Sequence, residues 1–247
     1  MREALFLKNN SGLKIAALLD RDEAKSKQGL VILSNGFGGV KDSPGRQLVA
    51  DLFQDLGYAT LRMDNRGRGE SEGSTLDSTV AAGLEDLSTL VNYADSQTWV
   101  DKDNIGLYGN SYGGGVAVFE AARNPIYSFI IFSSPSVDNK EMYEYAGIID
   151  IKKWKTDGVA EMFGCQRSYK FYEEAQTING YKEAEKIKCP ALILHGDEDE
   201  AVPLSQSQRL HKAIANSTLI VLKGHAHNAG KSKEAIANIA NWLESLS

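Results

Sequence analysis

The stretch GNSYG at residues 109–113 decides the fold of this chain. It has the pattern G-x-S-x-G and lies between IGLYGN (105–110), typical of a buried β-strand, and a glycine-rich segment running to Arg123, typical of a helix. A serine at such a sharp strand-to-helix turn is strained and exposes its Oγ atom, while flanking glycines avoid clashes. The alternative is an ordinary glycine-rich turn, but the preceding strand and following helix favour Ser111 as a nucleophile at a helix N-terminus.

A serine hydroxyl is a weak nucleophile and needs a base, so the four histidines are the next candidates. His225 and His227 lie in KGHAHN, directly after a predicted strand, where a loop can bring an imidazole over Ser111. His195 is predicted at the end of a buried strand, and His211 within a helix. From the residues alone, His225 and His227 therefore both remain candidates for the base.

A carboxylate must orient that base, and four consecutive acidic residues are suitably placed. They follow the predicted strand ALILH (191–195) as Asp197, Glu198, Asp199 and Glu200. Together with His195 these acids could imitate a metal site, but adjacent residues in a short loop rarely converge on one ion. We therefore expect no metal and no cofactor.

Short apolar runs alternate with stretches of helical periodicity along most of the chain. Strands are predicted at 4–8, 13–20, 29–35, 58–64, 105–110, 127–134, 191–195 and 218–224, and helices at 44–57, 77–98, 111–123, 203–215 and 231–246. This alternation is typical of a mostly parallel sheet covered by helices on both faces. The sequence predicts an α/β protein with a central sheet of about eight strands, formed by one domain over residues 1–247.

Residues 136–186 interrupt the alternation and contain eight of the 21 aromatic residues of the chain. The segment is too apolar for a solvated linker. It is predicted to be an insertion over one edge of the sheet, either a lid that shapes a pocket or a few additional helices. Its aromatic side chains could form a core, line a pocket for an aromatic acyl group, or do both.

Composition excludes several classes of protein. The 247 residues are 42% hydrophobic and carry a net charge of −6, so nucleic acid and membranes are unexpected partners. No apolar run approaches the roughly 18–20 residues of a membrane span, and the N-terminus lacks the apolar stretch of about 7–15 residues of a signal peptide. The two cysteines form no CxxC motif, and the segment RGRG (66–69) lacks a phosphate-binding context. A cytoplasmic location is the expectation.

The chain resembles the α/β-hydrolase superfamily along essentially its whole length. The motifs that carry the resemblance are NGFGG (35–39), RMDNRGRGES (62–71), GNSYGG (109–114), GDEDEAVP (196–203) and KGHAH (223–227). Their order places a serine, an acid and a histidine in the sequence typical of that superfamily. In its length, insertion and HGDEDEAVP segment, the chain is most similar to small bacterial esterases of the cinnamoyl or feruloyl type.

The resemblance implies a role for individual residues. It selects Asp199 among the four acids and His227 over His225, giving a catalytic triad of Ser111, Asp199 and His227. It implies that the backbone N–H groups of Phe37 and Tyr112 bind the oxyanion of the tetrahedral intermediate. The side chains of these two residues, with Trp154 from the insertion, are predicted to contact the substrate.

One residue departs from the superfamily pattern. Asn35 stands where most members carry a histidine before the oxyanion loop. Asparagine also hydrogen bonds to backbone and favours turns, so we expect a functional loop.

The sequence predicts a serine carboxylesterase that hydrolyses small-molecule esters through an acyl-enzyme. The resemblance to small bacterial esterases, together with the aromatic residues of the insertion, implies esters of the hydroxycinnamoyl (feruloyl) type. The alternatives on the same scaffold are a thioesterase, an acyl-peptide or amide hydrolase, and an acyltransferase, because function resides in the site and not in the fold. A non-catalytic binding protein is a further alternative, disfavoured by the complete set of triad residues.

Overall fold

The computed structural model describes residues 1–147 and 149–246. Its strands are β1 (Arg2–Lys8), β2 (Lys14–Asp20), β3 (Gln28–Ser34), β4 (Ala59–Met63), β5 (Val100–Asn110), β6 (Phe129–Ser133), β7 (Val159–Met162), β8 (Cys165–Ser168), β9 (Ala191–Gly196) and β10 (Ser217–Leu222). Within the described residues, eight of them form one sheet in the order β1-β2-β4-β3-β5-β6-β9-β10, and β7 and β8 form a separate hairpin. In the eight-stranded sheet, β2 pairs antiparallel with both β1 and β4, and the other five pairings are parallel. The predicted α/β architecture is confirmed.

Helices cover both faces of the sheet. They are α1 (Pro44–Asp55), α2 (Val80–Ser96), α3 (Tyr112–Arg123), α4 (Asn139–Ala146), α5 (Ile151–Asp157), α6 (Lys170–Ala175), α7 (Gly180–Ala184), α8 (Leu204–Ala213) and α9 (Lys233–Glu244). Alternate side chains of a strand point to opposite faces, so Leu30 and Ile32 of β3 join one core, whereas Val31 and Leu33 join the other. Helices α2, α3 and α8 pack on the first core, and α1 and α9 on the second.

The elements differ from the predicted ones mainly at their ends. Strand β5 begins at Val100 instead of residue 105, and α1 ends at Asp55. The helical spacing of Leu48, Val49, Leu52 and Leu56 predicts one shared face of α1, yet Leu48 is 44% exposed, while Phe53 is fully buried. The buried face of α1 is therefore rotated from the predicted one, because several leucines at helical spacing do not by themselves show which of them faces the core. No helix of the described part of the chain is long and apolar enough to cross a membrane.

The segment predicted as an insertion lies between β6 and β9 and contains α4 to α7 and the β7–β8 hairpin. Most of its aromatic side chains pack against one another, with ring centroids 5.1–6.4 Å apart. Tyr143, Trp154 and Phe171 are at most 1% exposed, whereas Phe163, at the hairpin turn, is 54% exposed. The buried aromatic residues of the segment therefore pack mainly against one another, and they extend the first core of the sheet.

Candidate active site

Ser111 lies at the turn between β5 and α3. Its φ of 51° and ψ of −121° place a non-glycine residue in a disfavoured region, as expected for a strained turn that exposes a nucleophile. The strain is held by close packing, because a Cβ atom at Gly113 would lie 2.4 Å from the carbonyl oxygen of Asn35. The first turn of α3 therefore packs directly against the loop after β3.

Ser111, His227 and Asp199 form a continuous hydrogen-bonded chain. His227 Nε2 lies 2.9 Å from Ser111 Oγ, and His227 Nδ1 lies 2.8 Å from Asp199 Oδ2. A carboxylate only accepts, so neutral His227 carries its proton on Nδ1. Its Nε2 atom is then free to accept the hydroxyl proton of Ser111.

The Asp199 carboxylate is buried and fully engaged. Its Oδ1 atom accepts the N–H groups of Ala201 and Val202 at 2.9 and 2.8 Å, and Oδ2 lies 3.2 Å from His195 Nε2. Burial alone would raise the pKa of Asp199, but hydrogen bonds from His195 and His227 outweigh burial and hold that pKa below its ordinary value. Asp199 is therefore an anion at neutral pH.

Among the described residues, His195 is the one further histidine that contacts a triad side chain within hydrogen-bond distance, through Asp199. His225 Nδ1 contacts the carbonyl of Lys223, and His211 Nδ1 contacts the hydroxyl of Ser217. His195 is fully buried, with Nε2 3.0 Å from the carbonyl of Val202. Asp197 accepts the N–H of Gly224 at 2.7 Å. Residues 1–147 and 149–246 contain no cluster of three or more side chains arranged to hold a metal ion.

The loop after β3 contains Phe37 and faces Ser111. The N–H groups of Phe37 and Tyr112 have no acceptor among the described residues, and both residues line the same cleft. Asn35, at the superfamily histidine position, donates its side-chain N–H to the carbonyl of Met63 and so ties the loop to β4. The described structure therefore has two backbone N–H donors without an acceptor, those of Phe37 and Tyr112, at the cleft that contains Ser111.

The motif RMDNRGRGES also supports this loop, a role that the sequence analysis missed. Asn65 donates to the carbonyl of Gly36 at 2.8 Å, and Arg68 donates to that of Gly38 at 3.1 Å. Arg66 instead forms a salt bridge with Asp86 of α2. Only the fold brings these distant segments together.

A cleft of about 230 Å³ opens beside Ser111. Its lining residues are Asn35, Gly36, Phe37, Gly39, Ser43, Arg46, Asn110, Ser111, Tyr112, Asn139, Met142, Phe163, Arg167, His227, Asn228 and Lys231. Phe37 and Tyr112, two of the predicted substrate contacts, belong to this set. Trp154 does not: its ring is buried among aromatic neighbours, and its indole N–H donates to the carbonyl of Arg167 at 3.0 Å.

Arg167 is the residue through which the insertion reaches the oxyanion loop. Its guanidinium lies 3.3 Å from the ring centroid of Phe37 and 3.8 Å from that of Phe171, and it donates to the hydroxyl of Tyr143. The Phe37 ring of the loop thus stacks on the Arg167 guanidinium of the insertion, and this cation–π contact favours one fixed position of the loop. A lone arginine in strand β8 carries no sequence signal for this contact.

The glycine at the end of β9 allows the histidine loop to approach the sheet. A Cβ atom at Gly196 would lie 2.0 Å from the carbonyl oxygen of His225 and 2.8 Å from that of Ala226. We expect Gly196→Ala to displace His227 and to lower kcat by about 10²-fold, the cost of misplacing a catalytic group by around 1 Å. The measurement is kcat together with Tm and circular dichroism. Unchanged kcat in the folded variant would show that this contact does not fix the loop.

A model of the prolyl oligopeptidase family matches residues 46–246. An uncharacterized 31.7 kDa protein from the traX-finO intergenic region of Escherichia coli is 29% identical over 234 residues, covering 79% of this chain and 81% of the relative. The human palmitoyl-protein thioesterase ABHD10, a mitochondrial protein, is 22% identical and covers 90% of this chain and 74% of its own length.

Among solved structures, Est1E from Butyrivibrio proteoclasticus with bound ferulic acid superimposes with a TM-score of 0.85. It is 26% identical, and the match covers 98% of this chain and 97% of Est1E. The resemblance to α/β-hydrolase esterases is confirmed at the level of family and fold.

Proposed function

The chain belongs to the prolyl oligopeptidase family and has the α/β-hydrolase fold, and on this basis we propose that it is a serine carboxylesterase with Ser111, Asp199 and His227 as its catalytic triad. The observation that carries the proposal is the hydrogen-bonded chain from Asp199 through His227 to Ser111, at the wall of a cleft. The substrate is a small ester that the cleft can hold.

The proposed reaction proceeds through an acyl-enzyme. Ser111 Oγ attacks the ester carbonyl carbon while its proton passes to His227 Nε2, and the Asp199 carboxylate stabilises the resulting imidazolium. The free N–H groups of Phe37 and Tyr112 would stabilise the oxyanion. His227 returns the proton to the leaving alcohol, and water then releases the acid by the same steps in the deacylation half-reaction.

We propose that residues 136–186 act as a lid over the cleft and that the acyl group is of the hydroxycinnamoyl type. Three aromatic rings, those of Phe37, Tyr112 and Phe163, belong to residues that line the cleft. Ferulic acid is bound in the similar Est1E structure. An aromatic acyl group suits a cleft that presents several aromatic rings.

A series of substrates tests this proposal. Kinetics with methyl ferulate and p-nitrophenyl esters from acetate to octanoate, on wild-type protein and Ser111→Ala, measure acyl preference and dependence on the serine. We expect wild type to hydrolyse these esters and to favour methyl ferulate over methyl esters of aliphatic acids. Folded wild-type protein that hydrolyses none of these esters would contradict esterase function.

A thioesterase is the second candidate, since ABHD10 is a palmitoyl-protein thioesterase. An amide hydrolase and an acyltransferase use the same triad. We expect kcat/KM to rank ester above thioester and amide when the acyl group is held constant. A higher kcat/KM for the thioester would instead assign thioesterase activity to the same triad.

A further inference from the structure

Among the residues that the structure describes, cationic side chains line the cleft beside Ser111 and acidic ones do not. Arg46, Arg167 and Lys231 belong to its lining, and none of the residues that line it is aspartate or glutamate. This balance is unexpected in a protein with a net charge of −6. A cleft with unneutralised positive charge favours ligands that carry negative charge.

Arg46, in the first turn of α1, is buried and has no counter-ion within residues 1–147 and 149–246. It is 4% exposed, and its guanidinium lies 5.5 Å from the ring centroid of Tyr108. Its Nε and Nη1 atoms have no hydrogen-bond partner in the described part of the chain, where it also has no salt bridge. The nearby Arg62, which pairs with Asp20, adds like charge. A buried cation left in this state is costly unless a ligand compensates for it.

Lys231 lies next to the same turn, and it too has no acidic partner in the described structure. Its ammonium donates to Asn228 Oδ1 at 3.0 Å, and its side chain packs over Gly45, where a Cβ atom would lie 2.6 Å from Lys231 Cδ. Burial and the charge of Arg46 both lower the pKa of Lys231. The two cations therefore act on each other, and no carboxylate among the described residues intervenes.

The start of α1 adds to this positive region. Ser43, the N-cap residue, lines the cleft, and its side chain makes no capping hydrogen bond. The first N–H groups of a helix carry partial positive charge. Arg167 contributes its charge to the field of the cleft, but its guanidinium is already stacked between Phe37 and Phe171.

We propose that Arg46 and Lys231 bind a carboxylate of the substrate, so that the preferred esters of this enzyme carry a free acid group in addition to the ester that Ser111 attacks. This inference rests on the proposed esterase function. A guanidinium presents a planar fork of donors and an ammonium a point charge, and together they match the two oxygens of a carboxylate. The pair lines the same cleft as Ser111 and His227, so the acid and the ester belong to one molecule.

Matched pairs of esters test the inference on each side of the scissile bond. Mono-p-nitrophenyl adipate and p-nitrophenyl hexanoate differ by a carboxylate on the acyl side. On the alcohol side, 4-carboxyphenyl hexanoate is compared with 4-carbamoylphenyl hexanoate. In one of these pairs we expect wild type to favour the anionic ester in kcat/KM by about tenfold or more, the effect of one or two charge-assisted hydrogen bonds.

Substitutions test whether the preference for the anionic ester depends on Arg46 and Lys231. The ratio of kcat/KM for the anionic and neutral esters should fall about tenfold in Lys231→Gln and in Arg46→Met, and Lys231→Arg should restore most of it. Lys233→Gln is the matched control, because Lys233 is exposed, lies two residues away and does not line the cleft. Added salt should weaken the wild-type preference, since Lys231 is only partly buried. Tm shows whether each variant is folded.

The outcomes separate this inference from the function on which it rests. Wild type that hydrolyses both members of each pair equally, or a preference unchanged in Lys231→Gln and in folded Arg46→Met, would overturn the carboxylate site and leave the esterase proposal intact. Folded wild type that hydrolyses none of the four esters would overturn both.

Discussion

Replacing Ser111 with alanine is expected to lower kcat for ester hydrolysis by at least about 10⁴-fold, because the nucleophile is lost and only the binding groups remain. His227→Ala should cost a similar factor, since a serine hydroxyl without its base is a weak nucleophile. The double variant should be hardly slower than either single variant, because the two side chains act as one unit. Single-turnover and steady-state kinetics on p-nitrophenyl acetate measure all three.

Two control variants make this result specific. Ser205→Ala changes an exposed serine of α8, and His225→Gln changes the neighbouring histidine, whose ring contacts only the Lys223 carbonyl within hydrogen-bond distance in the described structure. Both should retain kcat within about twofold, as surface substitutions away from a site usually do. A loss in His225→Gln equal to that in His227→Ala would contradict the assignment of His227 as the base.

Asp199→Asn is expected to lower kcat by about 10⁴-fold, with the protein still folded. The amide can present an N–H group to His227 Nδ1, which would then have to carry its proton on Nε2, and that tautomer cannot accept the proton of Ser111. Asp197→Asn is the matched control, because that side chain only accepts the N–H of Gly224 and an amide oxygen can do the same. Equal losses in both variants would indicate a general effect of removing charge from this loop.

The same carboxylate makes stability depend on pH. The pKa of Asp199 is lowered in the folded protein by His195 and His227, which outweigh burial. Its contribution to the free energy of unfolding is therefore complete above the ordinary pKa of about 3.9 and is lost as the pH falls below that value. Urea unfolding between about pH 5 and 2.5 should show a steeper loss of stability for wild type than for Asp199→Asn. Parallel curves would contradict the lowered pKa.

The order of strands and helices could be predicted from the sequence because each element has its own periodicity. The turn around Ser111 was recognisable because strand, glycines and helix follow one another directly along the chain. His227 and Asp199 were selected by motifs that resemble those of a superfamily, and spacing alone left His225 and three other acids as candidates. The hydrogen bonds that join the three side chains span 116 and 28 residues, so they depend on how the sheet is assembled.

The environment of each side chain was decided by tertiary structure. Trp154 was predicted to contact the substrate, but the insertion folds its aromatic residues into a core, and its cleft-facing residues are Asn139, Met142, Phe163 and Arg167. Arg46 and Lys231 lie 185 positions apart and carry no motif. They meet because α1 and the segment after His227 pack at the same end of the sheet. The sequence by itself thus determined the fold class and the candidate catalytic residues, because local patterns along the chain encode both. The shape and charge of the cleft were decided by the tertiary structure, because they arise from contacts between distant segments.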